Sequence, residues 1–356
     1  MSPDVERFTG GHAVGVDVAA IERDLAGLWR KASASGAERS VTRACAWNLV
    51  VHATTDAELA RAKTLADALV AVVPSRTLVL SQRTNALGPE VEAFVTANCR
   101  MMPGGGKLVC TEEITIEARG RGSDHLPSLT RALLVPDIPT AVLWAGVPPH
   151  APLVDELLAV ADRLVVDTTH LGSDGLGRIE QLGNKATHKV GDLAWLRTAP
   201  RRRVIAGAFD APVDAGMLYR LKRVSLDCAP DAVASAKLML GWLGARLSWG
   251  TPEAIDDRDA PGWMVPRQQG KVLVDLSPTA TTPGIARLAF ESDQGERVRI
   301  TSTDACLTIE GAGPPHTVPH VTLPDEALVV AALGPRGSDR LYQAALHRAV
   351  ELEDPT

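Results

Sequence analysis

TAVLWAGVPPHAPLVDELLAVADRLVVDTT, residues 140–169, is the stretch whose reading decides the fold. TAVLWAG (Thr140–Gly146) is an apolar run too short for a helix, Val154–Ala161 has helical spacing, and RLVVDTT (Arg163–Thr169) is again a short β-branched run. Strand, helix and strand on short connections form the repeating unit of a parallel sheet, whose strands are buried on both faces and read as continuous hydrophobic runs. The same alternation extends towards the amino end. Apolar residues at helical spacing (Val18, Ile21, Leu25, Leu28, Trp29) predict a helix over Asp17–Lys31 with Asp17 as N-cap. CAWNLVVHA (Cys45–Ala53) reads as a strand, Asp56–Val73 as a helix stopped by Pro74, and RTLVLS (Arg76–Ser81) as a second strand. Glu90–Ala97 reads as a short helix, KLVCTEEITIEAR (Lys107–Arg119) as a long strand and Leu126–Val135 as a helix. The expected class is α/β, with an N-terminal, mainly parallel sheet covered by helices on both faces.

Beyond LGSDGLG (Leu171–Gly177), where glycines interrupt the pattern, the composition of elements changes. Helices are expected at Ile179–Thr187, Asp192–Phe209 and Asp231–Trp249, with a strand at Leu221–Ala229. β segments from Val272, Ile285, Arg297 and Cys306 on short connections predict an antiparallel meander, and helices follow at Asp325–Leu333 and Ser338–Leu352. A length of 356 residues is long for one core, so the sequence divides into an α/β domain over 1–170 and an α+β domain over 171–356.

Composition narrows the function. A chain 45% hydrophobic and 22% charged, with no apolar stretch of the roughly 18 residues a membrane helix needs, reads as globular rather than membrane-spanning. The net charge of −6 argues against a protein that acts through nucleic acid. The amino end shows no secretory pattern, so a cytoplasmic location is expected. Five cysteines (Cys45, Cys99, Cys110, Cys228, Cys306) without a Cys-x-x-Cys pair fit neither a disulfide framework nor a zinc knuckle, and reduced, buried thiols are expected.

Familiar catalytic motifs are missing. Gly104-Gly105-Gly106-Lys107 lacks the leading glycine and the Ser or Thr of a phosphate loop, where Met101 and Leu108 stand, and Val109 occupies the third glycine of a dinucleotide fingerprint. No cofactor and no metal are expected. Two carboxylates remain as candidates for acid/base work. Glu112 falls on the apolar side of a strand, where it needs a partner, and Asp167 ends a parallel strand, where open sheets bind ligands. An ion pair for the first and a capping role for the second are the plainer readings. Thr198-Ala-Pro-Arg-Arg-Arg opens a helix and sets Arg201, Arg202 and Arg203 at its positive end, a cluster suited to a carboxylate or phosphate, with pairing to the chain's own Asp and Glu as the plainer reading.

GDLAWLRTAPRRRVIAGAFD (Gly191–Asp210) resembles a segment of the OpcA family, the glucose-6-phosphate dehydrogenase assembly proteins. RACAWNLVV (Arg43–Val51), PSRTLVL (Pro74–Leu80), CTEEITIEARG (Cys110–Gly120), LLVPDIPTAVLWAG (Leu133–Gly146), ADRLVVDT (Ala161–Thr168) and LMLGWLGARLSWG (Leu238–Gly250) agree in order along the chain. Arg201 stands in place of the family's Trp in a Trp-Arg step, and Arg202 matches the Arg. The resemblance implies a non-catalytic protein that binds glucose-6-phosphate dehydrogenase and promotes its active oligomer or activates it allosterically. His188 stands where the dehydrogenase's own Gly-x-x-Gly-Asp-Leu turn would begin, which separates the chain from the enzyme. A partner surface is expected from Trp195, Arg201, Arg202, Arg203, Trp242, Arg246 and Trp249. The alternatives are a sugar-phosphate enzyme using Asp167 and Glu112, and a scaffold for another partner. Seven Trp against four Phe and two Tyr leave packing and docking equally open.

Overall fold

The computed structural model describes residues 5–14, 17–35, 40–70, 72–83, 90–101, 107–144, 146, 153–171, 175–185, 189–210, 216–255, 262–303, 305–311, 313–334 and 339–353. They form two compact units. The first comprises residues 1–166, 188–191 and 325–335, and the second 167–187, 192–324 and 336–356.

The first unit is built on strands β1 (Val5–Val14), β2 (Ser40–Arg43), β3 (Trp47–Ala53), β4 (Ser75–Arg83), β5 (Val91–Met101), β6 (Lys107–Arg119), β7 (Thr140–Trp144), β8 (Arg163–Val166) and β9 (Lys189–Asp192). Their order is β1-β5-β6-β4-β3-β7-β8-β9, with β2 also paired to β6. The pairs β6–β4, β4–β3, β3–β7 and β7–β8 are parallel. Strand order therefore reverses between β3 and β7, the topological switch point of a doubly wound α/β fold. Helices α1 (Val18–Ser35), α3 (Leu126–Leu133) and α4 (Leu153–Val160) contact one another in series, and α2 (Asp56–Leu69) meets α9 (Asp325–Leu333). Leu49, Val50 and Val51 of β3 are fully buried, as a strand covered on both sides requires.

Two expectations are corrected here. Glu90–Ala97, read as a helix, belongs to β5, which runs antiparallel between β1 and β6. Val91, Ala93, Val95, Ala97 and Cys99 are buried at period two, and this alternation overrides the helical preference of Glu and Ala. Cys99 and Cys110, expected as free thiols, are directly opposite on β5 and β6 and form a disulfide with Cα atoms 4.0 Å apart. Cys45, Cys228 and Cys306 are free. The glycine turn read at residues 104–106 lies outside the described residues.

The second unit holds an eight-stranded sheet of β10 (Leu221–Cys228), β11 (Glu253–Ala254), β12 (Gly262–Pro266), β13 (Lys271–Ser277), β14 (Ile285–Ser292), β15 (Arg297–Ser302), β16 (Cys306–Glu310) and β17 (His316–Pro319). Its order is β11-β12-β13-β10-β14-β15-β16-β17. The expected meander holds for β14, β15 and β16 and extends to β17, but β13, expected as its first strand, is parted from β14 by β10 and pairs with β10 in parallel. Helices α5 (Gly175–Lys185), α6 (Leu193–Arg197), α7 (Ala199–Ala208), α8 (Val233–Arg246) and α10 (Arg340–Val350) complete the unit. Gly175 and Gly177, read as linker, lie in α5. Alternating burial along β14 (Ile285 in, Arg287 out, Leu288 in, Phe290 in) shows one face packed and one open.

α8 carries two apolar stripes, and both are buried: Ala236, Leu240 and Leu243 on one, Leu238 and Trp242 on the other. Close packing on α10 accounts for this. A Cβ at Gly241 would overlap the Ala345 carbonyl oxygen and lie 2.7 Å from the Ala349 nitrogen, so only glycine lets the two backbones approach.

Candidate functional site

In a doubly wound sheet the first place to look is the carboxyl edge at the switch point. There the end of β3 runs into Thr54 and Thr55, and α2 begins. Thr55 caps the helix by accepting from the Glu58 backbone N–H at 3.2 Å. Glu58 reaches back and accepts from both the N–H of Thr54 at 2.7 Å and its hydroxyl at 2.8 Å. Thr55 thus takes one first-turn donor, and the Glu58 carboxylate sits one residue further back, on Thr54, in a variant of the capping box. The same carboxylate packs on Gly146, past the end of β7, so closely that a Cβ at 146 would overlap it. An anion entering at this helix end would meet a carboxylate already seated there. His52, buried beside it, has Nε2 3.1 Å from Gln82 Oε1, and burial pushes its pKa down to about 4. It is a neutral imidazole at pH 7.

Glu112 lies at the opposite edge. Its partner in register is Arg76, second residue of β4. Arg76 Nε donates to Glu112 Oε2 at 2.7 Å, Arg43 NH2 donates to the same oxygen at 3.0 Å, and Trp29 Nε1 donates to Oε1 at 2.6 Å. Arg76 NH1 also bonds Glu22 at 2.7 Å and the Leu133 carbonyl at 2.9 Å. Glu112 and Arg76 are 3% and 4% exposed, so no reactant reaches this carboxylate. The acid/base role considered for Glu112 fails on position and occupancy alike.

Asp167 follows β8 directly and opens the second unit. Arg197 grips it in a fork, NH2 to Oδ2 at 2.9 Å and NH1 to Oδ1 at 3.3 Å, and its Oδ1 accepts from the Thr169 N–H at 3.1 Å. The capping reading of this aspartate is the one the structure adopts.

Residues 192–203 organise helices of the second unit. Asp192 caps α6 through the Ala194 N–H at 3.0 Å and accepts from the Thr168 hydroxyl at 2.9 Å and its N–H at 3.2 Å. Burial, with the Asp167 charge, pushes its pKa up to about 6. Tyr342 is buried beside it, and its hydroxyl is raised well above the usual range by that burial. Trp195 Nε1 donates to Asp339 Oδ2 at 2.9 Å, while Asp339 Oδ1 caps α10 through Leu341 and Tyr342. The Arg202 guanidinium lies 3.2 Å above the centroid of the Trp195 ring and bonds Trp195 O and Thr198 Oγ1.

Of the seven expected contact residues, Trp195, Arg201, Arg202, Trp242 and Trp249 are buried, and Arg203 and Arg246 are exposed. The open face of the second sheet presents four cross-strand ion pairs: Arg223–Asp275, Arg287–Asp227, Arg297–Glu291 and Arg299–Glu310. A shallow cavity of about 280 Å³ runs over it between Arg223 and Glu310. Sequence reading passed over Glu58, His52, Asp192 and Asp339. Thr55-x-x-Glu58 ahead of an apolar periodic run is the one signal that points to any of them. Among the described residues no three His, Cys, Asp or Glu side chains converge on a metal-sized site, and no helix is long and apolar enough to cross a membrane.

Comparison with known proteins adds the following. Two family models match, described as the glucose-6-phosphate dehydrogenase subunit N-terminal domain over residues 66–183 and its C-terminal domain over residues 188–346. OxPP cycle protein OpcA of Nostoc punctiforme is 30% identical over 189 residues, 52% of this chain and 40% of that protein. Its counterpart in Synechocystis sp. is 29% identical over 189 residues, 52% of this chain and 39% of that protein. The matched region spans about two fifths of the length of these relatives. The crystal structure of glucose-6-phosphate 1-dehydrogenase from Mycobacterium avium aligns over 88% of this chain and 93% of that one, at 11% identity and a TM-score of 0.45, too low to establish a common fold.

Proposed function

The chain belongs to the OpcA family of glucose-6-phosphate dehydrogenase subunits, and from that premise we propose that it is a non-catalytic, cytoplasmic subunit that binds glucose-6-phosphate dehydrogenase, promotes its active oligomer and activates it allosterically. Its place is then the oxidative pentose phosphate pathway. The observation that carries the non-catalytic half is Glu58. A doubly wound sheet offers its ligand site at the switch point, and here the helix end at that point is capped by the Thr55 hydroxyl, with the Glu58 carboxylate seated on Thr54 and packed on Gly146. With Glu112 locked between Arg43 and Arg76, and Asp167 held by Arg197, the two carboxylates of the enzyme alternative are both engaged in structure.

Activation requires tighter binding to the active form of the target than to the inactive one, and a coupling of about 1 to 3 kcal/mol gives roughly 5- to 150-fold. Arg203 and Arg246 are the two expected contact residues that face solvent, so they can reach a partner directly. The test is to assay purified dehydrogenase from the same cell with and without this protein and to measure oligomer size by size exclusion with light scattering. Co-elution with a rise in activity or substrate affinity is expected. Unchanged activity, affinity and size would remove the reading. Arg203→Ala with Arg246→Ala should weaken association about tenfold at low salt and less at high salt.

A further inference from the structure

The amino-terminal turn of α7 holds a guanidinium that has no counter-charge among the described residues. Arg201 is 7% exposed, and of its five N–H groups one makes a hydrogen bond, NH2 to Ser302 Oγ at 2.7 Å. Its Nε is buried with no partner, and among the described residues no carboxylate pairs with it. The contrast with Arg202 is direct, since that side chain is satisfied by a carbonyl, a hydroxyl and an indole face. Burying an isolated cation is strongly unfavourable, and proteins normally neutralise one with a paired carboxylate or a bound ion. Burial lowers the Arg201 pKa to about 10, which still leaves the group charged at pH 7.

Three further donors lie around it. Ser302, at the end of β15, accepts from Arg201 and keeps its own hydroxyl proton free to donate. His320, one residue past β17, feels the Arg201 charge, and its Nδ1 is buried without a partner. No side chain caps α7, because the Thr198 hydroxyl turns back to the carbonyls of Ala194 and Trp195. Arg201 is the third residue of this ten-residue helix, and helical side chains lean towards the amino end, so the guanidinium sits where the helix dipole is positive. A guanidinium fork, a hydroxyl, an imidazole N–H and the first-turn amides of Ala199 and Arg201, Pro200 having none, are donors spread in three dimensions. That set matches a tetrahedral oxyanion better than a planar carboxylate.

We propose that Arg201, Ser302, His320 and the first turn of α7 form a binding site for the phosphate group of a small phosphate monoester. So little of Arg201 reaches the surface that a mobile small molecule is the occupant, not the flat surface of a protein. This site is independent of the switch point and of the dehydrogenase partnership.

The experiment is calorimetric titration of the full chain with inorganic phosphate and with methyl phosphate, at constant ionic strength set by chloride, with acetate as the planar comparison. Saturable binding of both phosphates, weaker or absent binding of acetate, and loss of at least about tenfold in affinity in Arg201→Met are expected. Lys271→Gln, exposed on β13, should leave binding unchanged. Ser302→Ala and His320→Ala give the same reading by milder routes if Arg201→Met does not fold, each weakening phosphate several-fold. No saturable heat from either phosphate with the wild-type chain, affinity equal in Arg201→Met, or acetate bound as tightly as phosphate would each overturn the proposal.

Discussion

Arg76 and Glu112 face each other across adjacent strands, and both are buried. Removing one partner of a buried pair leaves the other charge uncompensated, at a cost of about 3 to 5 kcal/mol. Glu112→Leu should therefore lower the unfolding free energy by that amount in urea denaturation, and a loss below about 1 kcal/mol would mean that Glu22 and water take up the Arg76 charge. Protonation makes a second prediction at this scale. His52 titrates at about 4 in the fold against 6.5 ordinarily, so its contribution to stability is complete above about pH 6.5 and is lost as pH falls towards 4. Asp192 titrates at about 6 against 3.8, so the folded state takes up its proton first and gains stability as pH falls from about 6 towards 4. Between pH 7 and 4.5 each amounts to about 2 kcal/mol, with opposite sign. His52→Gln should lose less stability than wild type over that interval, and Asp192→Asn more, both read from denaturation at the two pH values. Sequence alternation shows that Glu112 lies on an apolar face. It cannot name the partners, which come from 83, 69 and 36 residues away.

Helices α8 and α10 touch backbone to backbone at Gly241, which makes the pair sensitive to a single methyl group. Gly241→Ala should destabilise by about 3 kcal/mol, since the obstacle is main chain and cannot rotate aside. Gly207→Ala is the internal contrast. It lies in α7, with nothing within 4 Å of the added carbon, and should stabilise by about 0.5 to 1 kcal/mol. Strands buried on both faces, β3, β4, β7 and β8, were legible because burial writes itself as a run of Leu and Val. β5 was not, because its Glu and Ala favour helix in isolation and its strand character comes from lying between β1 and β6. The Cys99–Cys110 bond hides for the same reason, since spacing along the chain says nothing about register across it. Closing that loop should contribute about 3 kcal/mol, lost on reduction and checked by denaturation with and without a thiol reductant.

Across the whole molecule, the chain does not finish one unit before starting the other. Residues 188–191 and 325–335 return to the first unit and supply its edge strand β9 and the helix α9. A fragment ending at residue 170 lacks both, although Leu328 and Val329 of α9 are fully buried. Such a fragment should fail to unfold cooperatively, while one carrying 1–335 should recover the sheet's transition in circular dichroism. Local patterning revealed the class of each half, because helices and strands are local. The return of distant segments is written in no local pattern, and neither is the seat of Glu58 on Gly146, which joins residues 88 positions apart.

The same interleaving sets a clock on biosynthesis. A ribosome builds the chain from its amino end, so α2 and β8 emerge long before the helix that covers them. With 159 residues separating Val166 from Asp325, and translation at about 5 to 20 residues per second, roughly 10 to 30 seconds pass before that cover exists. Through that interval a finished-looking sheet waits with one flank bare, and whatever shields it then has to let go when α9 arrives.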